Sequence, residues 1–446
     1  MAQSGWRGRQ SRYKVAMAES TTVTLSDIEA FKIKALQWAN YFKTVCLLDS
    51  NNYPHTNYAS KDWVLAVDAI DELICGDNAF EKLKTFQAEA GSIIFGFFTY
   101  DLKNQVEKLE SRHTDNIGFP ELYFFKPRYI FEITGSKITI NRNYPETFEL
   151  IEMIEKISIP DKDVKAEKLQ LKARTPKNKY LQNVMQIKEQ ITEGDYYELN
   201  YCNEFYTANA AIKPVEVFNT LNQNAKAPFS AFFKQDDKYL MCASPERFLK
   251  KEGDKLISQP IKGTIRKGAT KDENDWLKAQ LHNDIKERAE NVMIVDLVRN
   301  DLAKSAVAGS VKVEELFGIY SFNSINQMIS TVIATLAPET HFIDAIKNAF
   351  PMGSMTGAPK IEVMKNIEHY EEAKRGLYSG SVGYITAGGD FDFNVVIRSI
   401  FYNSATRYLS IQAGGAITYD SVPEKEYEEV LLKAKGMMQA LNADLE

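Results

Sequence analysis

The sequence predicts an α+β sandwich rather than a repeating βαβ barrel, on three observations. Strand-rich blocks have helices interposed instead of alternating regularly with them. The C-terminal part holds three consecutive strand candidates, at 380–387, 391–401 and 408–413, broken at Gly388-Gly389-Asp390 and Asn403-Ser404. No repeat and no low-complexity tract suggests a solenoid or propeller.

The elements follow in chain order. Residues 27–42 have helical spacing, with Ser26 as candidate N-cap and Glu29 placed to complete a capping box. Segments 92–99 (SIIFGFFT) and 138–140 are strands by aliphatic and aromatic content. Between 159 and 179 the chain turns lysine-rich, with Pro160 and Pro176, as a linker or a loose strand would. A helix at 178–193 ends at Gly194-Asp195, and strands follow at 196–207, 231–233 and 239–243. Helices are expected at 279–301, 345–350, 358–372 and 424–440, the last capped by a box at Ser421-Val422-Pro423-Glu424. The expected organisation is a disordered leader at 1–20, an N-terminal region at 21–170 and a catalytic region at 171–446. Met17 is an alternative start.

Bulk properties exclude several classes. A chain of 446 residues with 44% hydrophobic and 26% charged content can bury a large core. A net charge of -6 argues against a nucleic-acid binder, because no broad basic surface can be assumed. No apolar run is long enough to span a membrane, and the basic N-terminus lacks the apolar stretch of a secretory signal. Cys46, Cys75, Cys202 and Cys242 lie far apart, as buried thiols in a reducing cytoplasm would. His55, His113, His282, His341 and His369 form no metal-ligand pattern, and no nucleotide-binding glycine motif occurs.

The chemistry-bearing residues form an ordered set. Glu287 and Glu290 share a helix face, and Glu426 and Glu429 repeat that spacing with Lys433 one turn on. Carboxylates so placed suit magnesium, although exposed helices carry many such pairs. Glu290 adjoins the apolar run 292–295, which favours its burial and a partner. Lys262, in Pro260-Ile261-Lys262-Gly263-Thr264, sits at the mouth of a Gly-Thr turn; it is either a solvated ammonium or a desolvated nucleophile. Arg398, on the expected strand 391–401, follows four residues from Asn394 to Ile397 and wants a carboxylate, a phosphate or a structural acid. Tyr384 is either a packed strand tyrosine or a ligand contact beside Gly383. Ser354, Thr356, Gly414 and Gly415 offer hydroxyls and amides in glycine turns.

Taken together, PIKGT (260–264), KERAENVMIVDLVRND (286–301), GSMTGAPK (353–360), GSVGY (380–384), VVIRS (395–399), QAGGA (412–416) and DSVPEKEYEE (420–429) resemble the chorismate-utilising enzymes. The resemblance is strong from about residue 175 onward and weak before it. It implies the anthranilate synthase component I-like fold, a two-layered antiparallel β sandwich flanked by helices with N- and C-terminal portions interleaved. Anthranilate synthases carry alanine in the PIKGT turn, whereas the lysine is typical of the branch forming aminodeoxychorismate. The resemblance therefore implies amination of chorismate at C4 for p-aminobenzoate and folate synthesis, with Lys262 attacking C2. Glu246 would be the general acid. Mg²⁺ would be held by Glu287, Glu290, Glu426 and Glu429. Gly263, Thr264, Ser354, Tyr384, Arg398, Gly414, Gly415 and Lys433 would bind substrate. No glutaminase segment can be placed, so ammonia is expected from a separate glutamine amidotransferase subunit. The alternatives are anthranilate synthase component I or a catalytically silent binding subunit.

Three departures from the family pattern stand out. Gln327 replaces a histidine linked to pyruvate elimination. Glu198 stands where ammonia users have glutamine and water users lysine. Residues 224–229 depart from the NPSPY pattern that binds tryptophan in feedback-regulated anthranilate synthases, so tryptophan inhibition is not expected.

Overall fold

The computed structural model describes residues 21–53, 58–59, 61–142, 147–159, 168–322 and 325–446. The expected leader with Met17, and residues 160–167 of the linker, lie outside the described residues. The architecture is the expected α+β class, two antiparallel sheet layers with flanking helices.

One layer runs through Trp63–Cys75, Thr44–Asp49, Phe229–Gln235, Lys238–Ser244, Ser399–Asn403, Tyr408–Ile417 and Glu198–Thr207, each antiparallel to the next. Its successive side chains enter different cores. Val45, Leu47, Phe232 and Met241 pack toward helices such as Ile28–Ala39 and Pro214–Ala225, while Cys46, Phe233 and Leu240 pack into the core shared with the other layer. A strand buried on both faces is a continuous apolar run without alternation. That is why Thr44–Asp49 carries no strand signature in the sequence.

The second layer runs Ile94–Phe98, Ser381–Ile385, Phe391–Asn394, Arg247–Glu252, Lys255–Gln259, Ile325–Thr335 and Lys312–Ser321. The long strands Trp63–Cys75 and Leu122–Thr134 pass from one layer to the other. Their register shifts between Ala69 and Asp71, beside Asp68 in the left-handed region (φ 64°), where Arg128 Nε donates to the Asp68 carboxylate at 2.6 Å. N-terminal strands thus pair directly with C-terminal ones, as Ile94–Phe98 does with Ser381–Ile385. The pairing of Leu169–Ala173 with Ala443–Leu445 is parallel.

Several local expectations are corrected. The first long helix is capped by Asp27, which accepts from the Ala30 amide at 2.9 Å, not by Ser26. The expected helix at 279–301 is two, Lys271–Asn283 and Ile285–Ala303, because extended Asp284 turns its carboxylate onto the Glu287 amide. The expected strand at 391–401 breaks between Asn394 and Ser399. The last helix has Val422 at its N-cap, since the Ser421 hydroxyl is spent on the Thr418 amide. The PIKGT segment is a bulged strand rather than a turn.

The elements that position the site are Glu198–Thr207 (β1), Ile261–Arg266 (β2), Ile285–Ala303 (α1), Tyr408–Ile417 (β3) and Pro423–Ala440 (α2). The four cysteines are free and buried. No helix among the described residues is long and apolar enough to cross a membrane.

The inter-layer core is aromatic, with Phe233 edge-on to Phe97 (5.1 Å between centroids), Tyr123 (5.9 Å) and Phe125 (6.1 Å). Phe233→Ala should therefore cost about 3–5 kcal/mol of stability, read as a lowered denaturation midpoint in urea.

Candidate active site

The site begins with the bulge in β2. The register against Ile325–Thr335 shifts between Ile261 and Thr264, and Gly263 takes φ 95°, a conformation that suits glycine. The irregularity re-aims Lys262, whose Nζ donates to Glu198 Oε1 at 2.7 Å. Glu198 opens β1 and is 1% exposed; its backbone pairs with Ala358 at the end of the 353–358 loop. Burial works against the Lys262 charge. Glu198, Glu290 and Glu429 outweigh it and hold the ammonium above its ordinary value.

Glu246 lies between Lys238–Ser244 and Arg247–Glu252 and is buried. Burial pushes its carboxyl up to about 7, although Ser354, Lys262, the Ile261 backbone and Arg398 pull the other way. Arg398 sits at the break between Phe391–Asn394 and Ser399–Asn403 with φ 51°, a left-handed backbone unusual for arginine. Its guanidinium has no hydrogen-bond or ion-pair partner among the described residues, and Glu246 is the acid that favours its charge. Desolvation lowers its affinity for a proton, so this half-buried cation is well served by an anion.

Opposite these groups stand the helical acids. Glu287, in the first turn of α1, is pushed up to about 7 by burial and then by Glu290 and Asp284. Burial also raises Glu290, against the pull of Lys262, and raises Glu426 on α2. Glu429 is the exception. Burial pushes it up, but Lys433, 2.7 Å away, with Lys262 and Lys286, draws it below its ordinary value. The Lys433 ammonium also donates to the Gly414 carbonyl at 2.8 Å.

Glycines let strand and carboxylate approach. A Cβ on Gly415 of β3 would stand 3.4 Å from Glu429 Oε1 and 3.5 Å from Glu426 Oε2, and one on Gly263 would meet Glu287 Oε2 at 3.1 Å. A Cβ on Gly414 would collide with Cys202 Sγ and the Tyr201 carbonyl. Among the described residues no three His, Cys, Asp or Glu are set close enough to enclose a metal by themselves. What exists is two carboxylate pairs on different helices that raise one another's proton affinity. That donor set fits an ion such as Mg²⁺, which takes one or two carboxylates and completes its shell with water and substrate oxygen.

The structure thus gathers Lys262, Glu246, Ser354, Arg398, Gly263, Gly414, Gly415, Lys433 and the helical acids. Thr264 is one residue further, its hydroxyl 3.4 Å from Gln327 Nε2. Tyr384 is not gathered with them. Its ring tilts against Phe95 under the Lys61 ammonium, and it lines a cavity with Leu48, Tyr53, Arg247 and Asp392 that shares none of the Lys262 neighbours. The tyrosine beside the Gly414 strand is Tyr378, whose hydroxyl is 3.4 Å from Cys202 Sγ. Sequence reasoning missed it because both tyrosines stand in one glycine-rich run and strand alternation alone does not separate them. It also missed Arg375, buried and bidentate with Glu371, whose guanidinium holds the Met355 and Asn200 carbonyls at 2.7 and 2.9 Å. That arginine ties the 353–358 loop to β1. The available signal was an arginine immediately before Gly376 in that run.

The family model for chorismate binding enzymes matches residues 43–439. The chain belongs to the chorismate-binding enzymes. Aminodeoxychorismate synthase component 1 of Bacillus subtilis is 31% identical over 415 residues, 87% of each chain. A probable chloroplastic aminodeoxychorismate synthase of rice is 39% identical over 263 residues, 58% of this chain but only 29% of the rice protein. The crystal structure of anthranilate synthase component I from Streptococcus pneumoniae superposes with a TM-score of 0.74 at 25% identity, covering 86% of this chain and 93% of that one. The chain's relatives thus include component I of both the anthranilate and the aminodeoxychorismate synthases.

Glu246 couples this site to stability. Its carboxyl moves from an ordinary 4.5 to about 7 on folding, so the folded state keeps a proton that the unfolded chain releases within that window. Stability must then fall as pH rises from about 4.5 to about 7, by roughly 3 kcal/mol for a shift of that size. Glu246→Gln removes this dependence. Its urea midpoint should gain on the wild type across that range, and parallel curves would contradict the assignment.

Proposed function

We propose that this enzyme aminates chorismate with ammonia to give 4-amino-4-deoxychorismate, for p-aminobenzoate and folate synthesis in the cytoplasm. The observation that carries the reading is Lys262, half-buried and held by Glu198 at 2.7 Å, within electrostatic range of Glu246, a carboxyl that burial keeps near half-protonated at neutral pH. The reaction has two displacements. The Lys262 amine bonds to ring C2 while the C4–O bond breaks, and Glu246 gives its proton to the departing hydroxyl, which leaves as water. Ammonia then bonds to C4 as the Lys262–C2 bond breaks, and the Glu246 carboxylate recovers a proton from the new ammonium.

Binding follows from charge. Arg398, the amides of Gly414 and Gly415, Ser354 and Lys433 would hold the carboxylate of the enolpyruvyl arm, with Gly263 and Thr264 near that of the ring. Tyr384 has no part in this account, given its separate cavity. Glu290 and Glu429, with Glu287 and Glu426 direct or through water, would hold Mg²⁺. When bound, the ion neutralises the ring carboxylate and makes the ring more electrophilic. The curated relatives named component 1 imply a second component, and a separate glutamine amidotransferase would supply ammonia. A second reading, anthranilate synthesis, is favoured by the likeness to the Streptococcus structure. A silent binding subunit is disfavoured by the retained lysine and acids.

A product assay with chorismate, Mg²⁺ and ammonium decides between them. Aminodeoxychorismate, converted to p-aminobenzoate by an added lyase, is expected; anthranilate would establish the second reading, and no metal-dependent product the silent one. Glu246→Gln should lower kcat by about 10²–10⁴-fold. The wild-type rate should fall as pH rises past about 7, where Glu246 loses its proton. Glu290→Gln should raise the Mg²⁺ concentration needed for half-maximal rate, measured by titration with the metal.

A further inference from the structure

Lys262 has a partner whose chemistry the reaction above leaves unused. Glu198 is almost wholly buried, and its Oε1 accepts from Lys262 Nζ at 2.7 Å. Its other oxygen, Oε2, is buried and has no hydrogen-bond partner among the described residues. Among the described residues no other hydrogen bond or ion pair reaches the Lys262 ammonium, so Glu198 alone is within proton-transfer reach.

From this geometry we infer that Glu198 is the base that frees the Lys262 amine and later returns its proton. The inference rests on Lys262 being the nucleophile. An ammonium has no lone pair, and the acids around Lys262 hold it in that form. The groups facing it from neighbouring elements are Glu198 on β1, Glu290 on α1, Glu429 on α2 and, beyond the bulge, Glu246 with Arg398. Glu246 is assigned to the leaving hydroxyl. Glu290 and Glu429 act on Lys262 through space, without contact. In the transfer an Nζ–H bond breaks and an Oε1–H bond forms, so the pair passes from ion pair to neutral amine and neutral acid. The freed lone pair bonds to C2. When the C2–N bond breaks, the amine regains the same proton from Oε1, and Glu198 is a carboxylate again. The unpartnered Oε2 matters here, because protonating the group sacrifices no second hydrogen bond. A neutral pair also sheds the desolvation cost of two buried charges as substrate displaces water.

The test is the rate of the protein–chorismate adduct, followed by intact-mass spectrometry with Mg²⁺ and no ammonia. Wild type is expected to gain the mass of chorismate less water, and Lys262→Ala to gain none. Glu198→Gln should form the adduct about 10²–10⁴-fold more slowly at pH 7. Its deficit should narrow as pH rises, by roughly tenfold per unit, because solvent then deprotonates the amine unaided. Glu246 enters both rates, so the ratio isolates Glu198. Glu198→Asp keeps a carboxylate and should recover part of the rate; equal impairment of both variants at every pH would mean a packing role and overturn the inference. Adduct formation by Glu198→Gln at the wild-type rate would overturn it while leaving Lys262 as nucleophile. No adduct in wild type would overturn the Lys262 reading, and the base assignment with it.

Discussion

A charge withdrawn from water must be answered by opposite charge or by hydrogen bonds, and this molecule answers its buried charges in two ways. Arg247 is closed off by both oxygens of Asp392 and by Gln259, and Arg375 by Glu371 and two backbone carbonyls. These pairs are saturated and act as fixed pins, one in the second layer and one behind the 353–358 loop. Around Lys262 the answer is incomplete. Among the described residues Glu198 keeps an unpartnered oxygen, Arg398 has no acid in contact, and the carboxylates of α1 and α2 raise one another's proton affinity. An arrangement closed around these two arginines and open around Lys262 is what the proposed function asks for, a site that takes a small polyanion together with a cation.

The fold supplies the positions for this imbalance. Sheet edges bring backbone amides and glycines, and helix ends bring acids. Lys262 reaches Glu198 because β2 bulges at Gly263, a residue whose φ of 95° suits no bulky side chain. Gly415 lets β3 lie against Glu426 and Glu429 within van der Waals distance of where a Cβ would be. The break at Asp284 sets the start of α1 so that Glu287 enters its first turn. Each detail is a small backbone irregularity, and each aims a charged group.

Similarity to relatives of both aminating kinds places the chain in a group without choosing the ring position. Under the proposed function that choice would rest on a few side chains around Lys262. Lys262 and Glu198 form one pair; Gln327, buried with its Oε1 unpartnered among the described residues and its Nε2 toward Thr264, stands on the neighbouring strand. A glutamine there neither donates nor accepts a proton as a histidine would, which suits the proposed reaction, in which the enolpyruvyl arm stays in place.

Much of this was present in the sequence as local periodicity. The helix Lys177–Glu193 with its left-handed Gly194 stop, the i,i+3 acid pairs and the strand Ile94–Phe98 each depend on neighbours a few residues apart. Composition and charge already argued against nucleic acid, and the ordered motifs pointed to the family. Tertiary structure decided the rest. Strands such as Thr44–Asp49 lose the alternating signature because both faces are buried, and only the packed layers reveal them. Tyr384 and Tyr378 look equivalent in a glycine-rich run, and strand pairing sends them to different surroundings. The Lys262–Glu198 contact joins residues 64 positions apart. No local pattern encodes such a pair, because it exists only once the bulged β2 and the start of β1 have been brought together by sheet register.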